Sequence, residues 1–205
     1  MMLRKKIAYI QDNTSWSKIL CLMTASILLM IVMNGTNLPF SGRTIEKLSG
    51  GIPILDMRSS FTPDDAYELF TALGNEGRQA YRFFHLVPDT LFPIGYSLTF
   101  CFISAWFLVR LLSRDHYLQL LCLLPLVSGL ADILENLSLV FASLAYPDRI
   151  DWLVHGAFLM NRLKFGLLPI GLVLLIIIVV IWLIRKRPGP MGENRLSNVS
   201  ASVCA

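Results

Sequence analysis

The chain has 205 residues, of which 55% are hydrophobic and only 16% charged, with a mean hydropathy of +0.60 and a formal net charge of +4. A water-facing domain of this size carries about 25% charged residues, so the composition excludes an ordinary soluble globule and points to lipid as the second solvent. The basic residues cluster at the ends of apolar runs, where they act as topology signals, and nucleic acid is excluded as their partner.

Residues 1–17 form a polar leader, expected to be weakly ordered. The first apolar run, Lys18–Met33, is short, and Trp16 is placed to anchor it at the membrane interface. It starts basic but ends in "VMNGTNLPF", without a small-x-small cleavage pattern, so it reads as a retained anchor. Residues 34–86 are the only sizeable non-membrane stretch. In its front half, "SGRTIEKLSGGIPILD", Gly50, Gly51 and Pro53 interrupt any period, which predicts loop. "FTPDDAYELFTALG" predicts a short helix. Thr62 is its N-cap, Pro63 lies in its first turn, and Asp64 and Asp65 complement the helix dipole. Gly74 is its expected end, and Ala66, Leu69, Phe70 and Leu73 form its apolar stripe.

The second span, Phe92–Leu112, is entered through a segment bearing Pro88 and Pro93. These remove backbone donors and predict kinks whose freed carbonyls a neighbour must satisfy. "LLSRDHY" joins it tightly to the third span, Leu118–Ala145, making the two antiparallel neighbours. The fourth span, Phe165–Ile184, is followed by a basic tail at 185–205. Each run approaches the roughly 20 residues needed to cross a hydrocarbon core of about 30 Å. The predicted fold is an all-α integral membrane protein, a four-transmembrane-helix bundle with a partly helical non-cytoplasmic loop between spans one and two. Residues 18–184 form one membrane domain. Cys21, Cys101 and Cys122 lie in spans and Cys204 in the tail, so no disulfide framework is expected. Ala25, Ser26, Gly166 and Gly171 are small enough for close helix approach, within the bundle or in a homodimer or with a membrane-protein partner.

If both termini share one side, that side carries ten Lys/Arg against three acids, and the other carries eight against nine. The excess predicts cytoplasmic termini, in the plasma membrane or an endomembrane. Two acids belong to neither side. They stand in "GLADILENLSL", where Asp132, Glu135 and Asn136 project from one face of the third span, with Ser128 one turn earlier. Charges at membrane depth face a bundle interior or a cavity and take partners there. The antiparallel spans bring Asp89 and Tyr96, and Lys164 or Arg162, to a similar level. Together these predict a polar pocket in the outer half of the bilayer, which Asp56, Arg58, Arg78 and Tyr81 could roof.

Such a pocket supports three roles. It can bind a ligand or act as a scaffold, it can be the site of a membrane-embedded enzyme on a lipid substrate, or it can serve a proton- or ion-coupled carrier. No metal site is expected. His85 and Asp89 have i, i+4 spacing and His155 shares their side of the membrane, but there is no H-E-x-x-H pattern and the histidines read as interfacial side chains with wet tips. No Gly-rich phosphate loop or G-x-S-x-G elbow occurs, and the sequence names no cofactor.

Overall fold

The computed structural model describes residues 2–186. The helices are α1 (Met2–Asn13), α2 (Trp16–Gly35), α3 (Gly42–Leu48), α4 (Pro63–Leu86), α5 (Pro88–Leu111), α6 (Leu124–Ala145) and α7 (Asp151–Lys186). Short 3-10 turns occupy Leu55–Met57 and Tyr117–Leu123, and no strand occurs among the described residues. Four segments are long and apolar enough to cross a membrane: α2, the α4–α5 run, the run ending in α6, and α7. The protein is therefore a helical membrane bundle.

The spans are built inside out relative to a soluble protein. On α6, Leu130, Leu134, Phe141 and Leu144 are exposed, whereas Ser128, Asp132, Glu135, Asn136 and Ser143 are buried at helical spacing. Lipid replaces water on the outside, so apolar side chains gain nothing by turning inward and polar ones must. On α2 only Ile19, Ser26 and Met33 are buried, a seam of one residue in seven, so this helix leans on its neighbour along a single line. On α7 the buried residues Val154, Ala157, Asn161 and Lys164 mark one stripe near its start. At about 1.5 Å per residue α7 is roughly 54 Å long. Its first turns thus rise beyond the hydrocarbon and pack into the extramembrane cap.

That cap is residues 36–86. Ile45, Leu55, Phe61, Leu69, Phe70 and Tyr81 pack there against Leu139 and Ala142 of α6 and Val154 and Ala157 of α7. Thr62 and Asp65 close a reciprocal capping box at the start of α4. Gly74 is left-handed (φ 61°), as its predicted role as a helix end requires, but the chain resumes helical geometry at once and continues to Leu86. The stretch predicted as loop holds α3, capped by Ser41, because Gly50 and Gly51 interrupt the chain only after Leu48. The leader is also ordered. In α1, Ile7 is buried beside Ala105 and Leu108, and Gln11 Nε2 donates to Gln119 Oε1 at 2.8 Å. Its apolar positions are too few to stand out along the sequence, and the partner surface creates the helix. Trp16, Trp106 and Trp182 stack edge to face at this end, with the Arg110 guanidinium 3.6 Å from the Trp106 ring centroid. Residues 187–205, with most of the basic tail and Cys204, lie outside the described residues.

Of the small residues expected at close approaches, Ser26 stands at one, whereas Gly166 and Gly171 do not. A Cβ at Gly166 would meet open space, and at Gly171 only a Leu124 methyl at 3.8 Å. At Gly95 it would lie 2.3 Å from Ser26 Oγ, and at Gly129 2.7 Å from Ser97 and 3.0 Å from the Pro93 carbonyl oxygen. Gly95 and Gly129 therefore set the α2–α5 and α5–α6 distances. Because the Pro93 carbonyl cannot rotate away, Gly129→Ala should destabilise the bundle by about 1–3 kcal/mol, the usual range for overpacking. Gly166→Ala should be neutral. Unfolding free energies of both variants in bicelles check this, and equal effects would show that Gly129 is not a packing point.

Candidate functional site

Pro93 creates the first site contact. It has no N–H to give the Asp89 carbonyl, and Asn136 Nδ2 donates to that oxygen at 2.7 Å. This bond fixes the Asn136 amide, so Oδ1 faces His85 Nδ1 at 3.1 Å as an acceptor. Asp89 Oδ2 lies 2.9 Å from the same nitrogen. Two acceptors around Nδ1 assign its proton there and leave Nε2, which is buried without a partner. His85 is thus an oriented imidazole, completely buried and not the wet interfacial tip its sequence position suggested. The helix change at Val87 explains why: it turns the last face of α4 inward.

The second part is a shared ion pair. Lys164 Nζ of α7 donates to Asp132 Oδ1 at 3.1 Å and pairs with Glu135 Oε2 at 2.6 Å. Tyr96 Oη donates to Asp132 Oδ2 at 3.1 Å, and Asn161 Nδ2 to Glu135 Oε1 at 2.8 Å. Asn161 also donates to the Asp56 carbonyl at 3.2 Å, tying the cap to the bundle. All these residues are at most 8% exposed.

The six pocket residues expected from the sequence fall into these two groups, Asp89 and Asn136 with His85, and Tyr96, Asp132 and Glu135 around Lys164; Glu135 and Asn136 do not line the cavity. The roof divides. Asp56 is buried and lines the cavity below, and Tyr81 is buried against the His85 ring with centroids 4.3 Å apart. Arg58 instead donates to the Pro53 carbonyl and pairs with Asp65 at 3.7 Å. Arg78 caps the Phe70 carbonyl and lies over the Tyr146 ring. Arg162 is exposed and reaches the Ser59 carbonyl. For all three, backbone acceptors or acids at the membrane edge keep the guanidinium in reach of water. His155 is exposed, and no group of three His, Cys, Asp or Glu side chains is arranged to hold a metal ion among the described residues. Asn161 was missed, although its i, i+3 spacing to Lys164 on the stripe with Val154 and Ala157 could have identified it.

A cavity of about 530 Å³ opens beside this network. Asp56, Asp89, Tyr96, Thr99, Asp132 and Lys164 supply its polar groups, with Ser26 and Asn34 from α2. The rest is apolar: Met23, Ile27, Met30 and Met33 of α2 face Leu168 and Leu172 of α7 across it, with Phe84, Phe92, Phe100 and Phe165 between. α2 packs along α5 and not along α7, so the cavity is the cleft left between α2 and α7. Comparisons with family models, curated proteins and solved structures find no match for this chain.

Asp56, in the cap, has its carboxyl pushed up to about 6, first by burial and next by the charge of Asp89. The folded chain therefore takes up a proton that the unfolded chain releases between about pH 6 and 3.8. Stability from this group should rise as pH falls through that window, and Asp56→Asn should remove that contribution; bicelle denaturation between pH 4 and 8 measures it. Asn136→Leu leaves the Asp89 carbonyl without its donor, takes one of two acceptors from His85 Nδ1, and should cost about 1–3 kcal/mol. Asn34→Leu, at an exposed position, is the control and should stay near zero.

Proposed function

We propose that this integral membrane protein binds a single-chain amphipathic molecule, which enters sideways from the bilayer between α2 and α7 and lays its polar end against Asp56, Asp89, Asp132 and Lys164. The observation that carries the reading is the cleft itself: about 530 Å³, apolar along its walls, with convergent polar groups from four elements. Ligand sites are mostly apolar hollows of about 300–1,000 Å³ with a few placed polar groups. Met23, Ile27 and Met30 on one lip and Phe165 and Leu172 on the other are exposed, so the mouth meets acyl chains and an apolar tail need never cross water. Lys164 already bridges two carboxylates, which supports a prebuilt polar end rather than a charge waiting for an anion.

The His85–Asp89 pair favours a second reading, a membrane-embedded enzyme in which Asp89 orients the imidazole and Nε2 acts as general base. Binding is favoured over it because His85 does not line the cleft. In orientation, the Lys/Arg excess supports the Trp-ringed end, with the N-terminus, on the cytoplasmic side and the cap outside.

In reconstituted vesicles, a photoreactive alkyl probe should label α2, α5 and α7 saturably around Met30, Phe100 and Leu168, and Met30→Trp at the mouth should lower the saturable labelling at least tenfold. Non-saturable labelling spread over every lipid-facing helix would remove the binding reading. For topology, cysteines placed at Ser60 and Ser197 should react with an impermeant reagent from opposite sides, the one at Ser60 from the non-cytoplasmic side; same-side reaction would refute the four crossings, and reaction at Ser60 from the cytoplasmic side would refute the orientation.

A further inference from the structure

We infer that the cleft selects a ligand whose head carries a positively charged primary amine. This rests on the binding reading above and adds the chemistry of the head group. Three carboxyl residues line the inner end, Asp56, Asp89 and Asp132, and a fourth, Glu135, lies behind it paired with Lys164. Against them stand Lys164 and, when protonated, His85. Lys164 is consumed by Asp132 and Glu135, and His85 gives its Nδ1 proton to Asp89. Asp56 is left over. It lines the cleft, is 6% exposed, and its Oδ1 is buried without a hydrogen-bond partner. A buried carboxylate oxygen without a donor is costly, and an ammonium supplies both the missing N–H and the missing charge.

The walls agree. Phe84, Phe92, Tyr96, Phe100 and Phe165 line the same cleft, and aromatic faces attract cations in a desolvated site. Within the protein the Lys164 ammonium already lies 5.1 Å from the Phe165 ring centroid. An anionic head would meet a surplus of carboxyls and no uncommitted cation among these lining residues. A neutral hydroxyl could donate to Asp56 but would leave the charge surplus as it was.

An amine also makes binding depend on pH. Asp56 faces Tyr81 and His85 of α4, Asp89 of α5, Asp132 and Glu135 of α6 and Lys164 of α7. Protonation of Asp56 removes the charge that holds the amine, so amine affinity should fall as pH drops below about 6.

The test uses the full chain in nanodiscs of zwitterionic lipid, with dodecylamine, dodecanol and dodecanoate competing against the photoreactive alkyl probe. At pH 7.5 dodecylamine should compete at least tenfold better than dodecanol, and dodecanoate should be weakest. Asp56→Asn, nearly isosteric, should bring the amine-to-alcohol ratio close to one, and Asp132→Asn should reduce it while leaving Lys164 paired with Glu135. Equal competition by all three, or a preference for dodecanoate, overturns the amine assignment while leaving a binding cleft. Absence of saturable competition by any of them overturns the cleft as well.

Discussion

The structure depends on one lysine. Lys164 reaches from α7 into the bundle and holds Asp132 and Glu135 of α6 at the same time. In a medium where water cannot solvate stray charges, two carboxyls on successive turns of one helix would repel each other and the helix would reject its neighbours. A single ammonium between them turns that repulsion into the contact that sets the register of α6 against α7. A buried ion pair adds little net stability compared with a well-packed apolar substitute, but losing one partner is severe. Its value here is geometric: it brings α6 and α7 together at one rotation and one height.

From that register the remaining site follows. With α6 fixed, Asn136 is placed to cap the carbonyl that Pro93 leaves open, and this fixes His85 through its Nδ1 proton. With α7 fixed, Asn161 links Glu135 to the Asp56 backbone and pins the cap over the bundle. Gly129 and Gly95 then let α5 approach α6 and α2 closely, leaving the unfilled width between α2 and α7. The cleft is thus a consequence of packing: α2 has a single buried seam and can cover only one neighbour.

The legible part of the sequence was the part written in membrane solvation. Apolar run length gave the four crossings, and the cost of charge at depth brought Asp89, Asp132, Glu135 and Lys164 to one place. What stayed hidden was set by partner surfaces. α1 forms because Ile7 and Gln11 find α5 and the turn after it, and α3 forms because Ser41 caps a turn whose breakers come only later. Arginines could not be sorted by sequence: Arg58, Arg78 and Arg162 sit near the site along the chain, yet each finds a carbonyl acceptor at the membrane edge. His85 inverted its expected role because the change of direction at Val87, invisible as a spacing, turns it inward. The wall contributed by α2 carried no charged residue to mark it, only Ser26 and Asn34 among its apolar side chains.

The most direct measurement is a double-mutant cycle between Lys164 and Glu135, using Lys164→Met and Glu135→Gln, with unfolding free energies determined in bicelles at neutral pH. Lys164→Met alone should cost about 3–5 kcal/mol because two buried carboxyls lose their counter-charge. The double variant should be less damaged than the sum of the singles by more than about 1 kcal/mol, the mark of residues in contact. Strict additivity, with Lys164→Met no worse than an exposed substitution, would mean that the lysine does not hold α6 to α7.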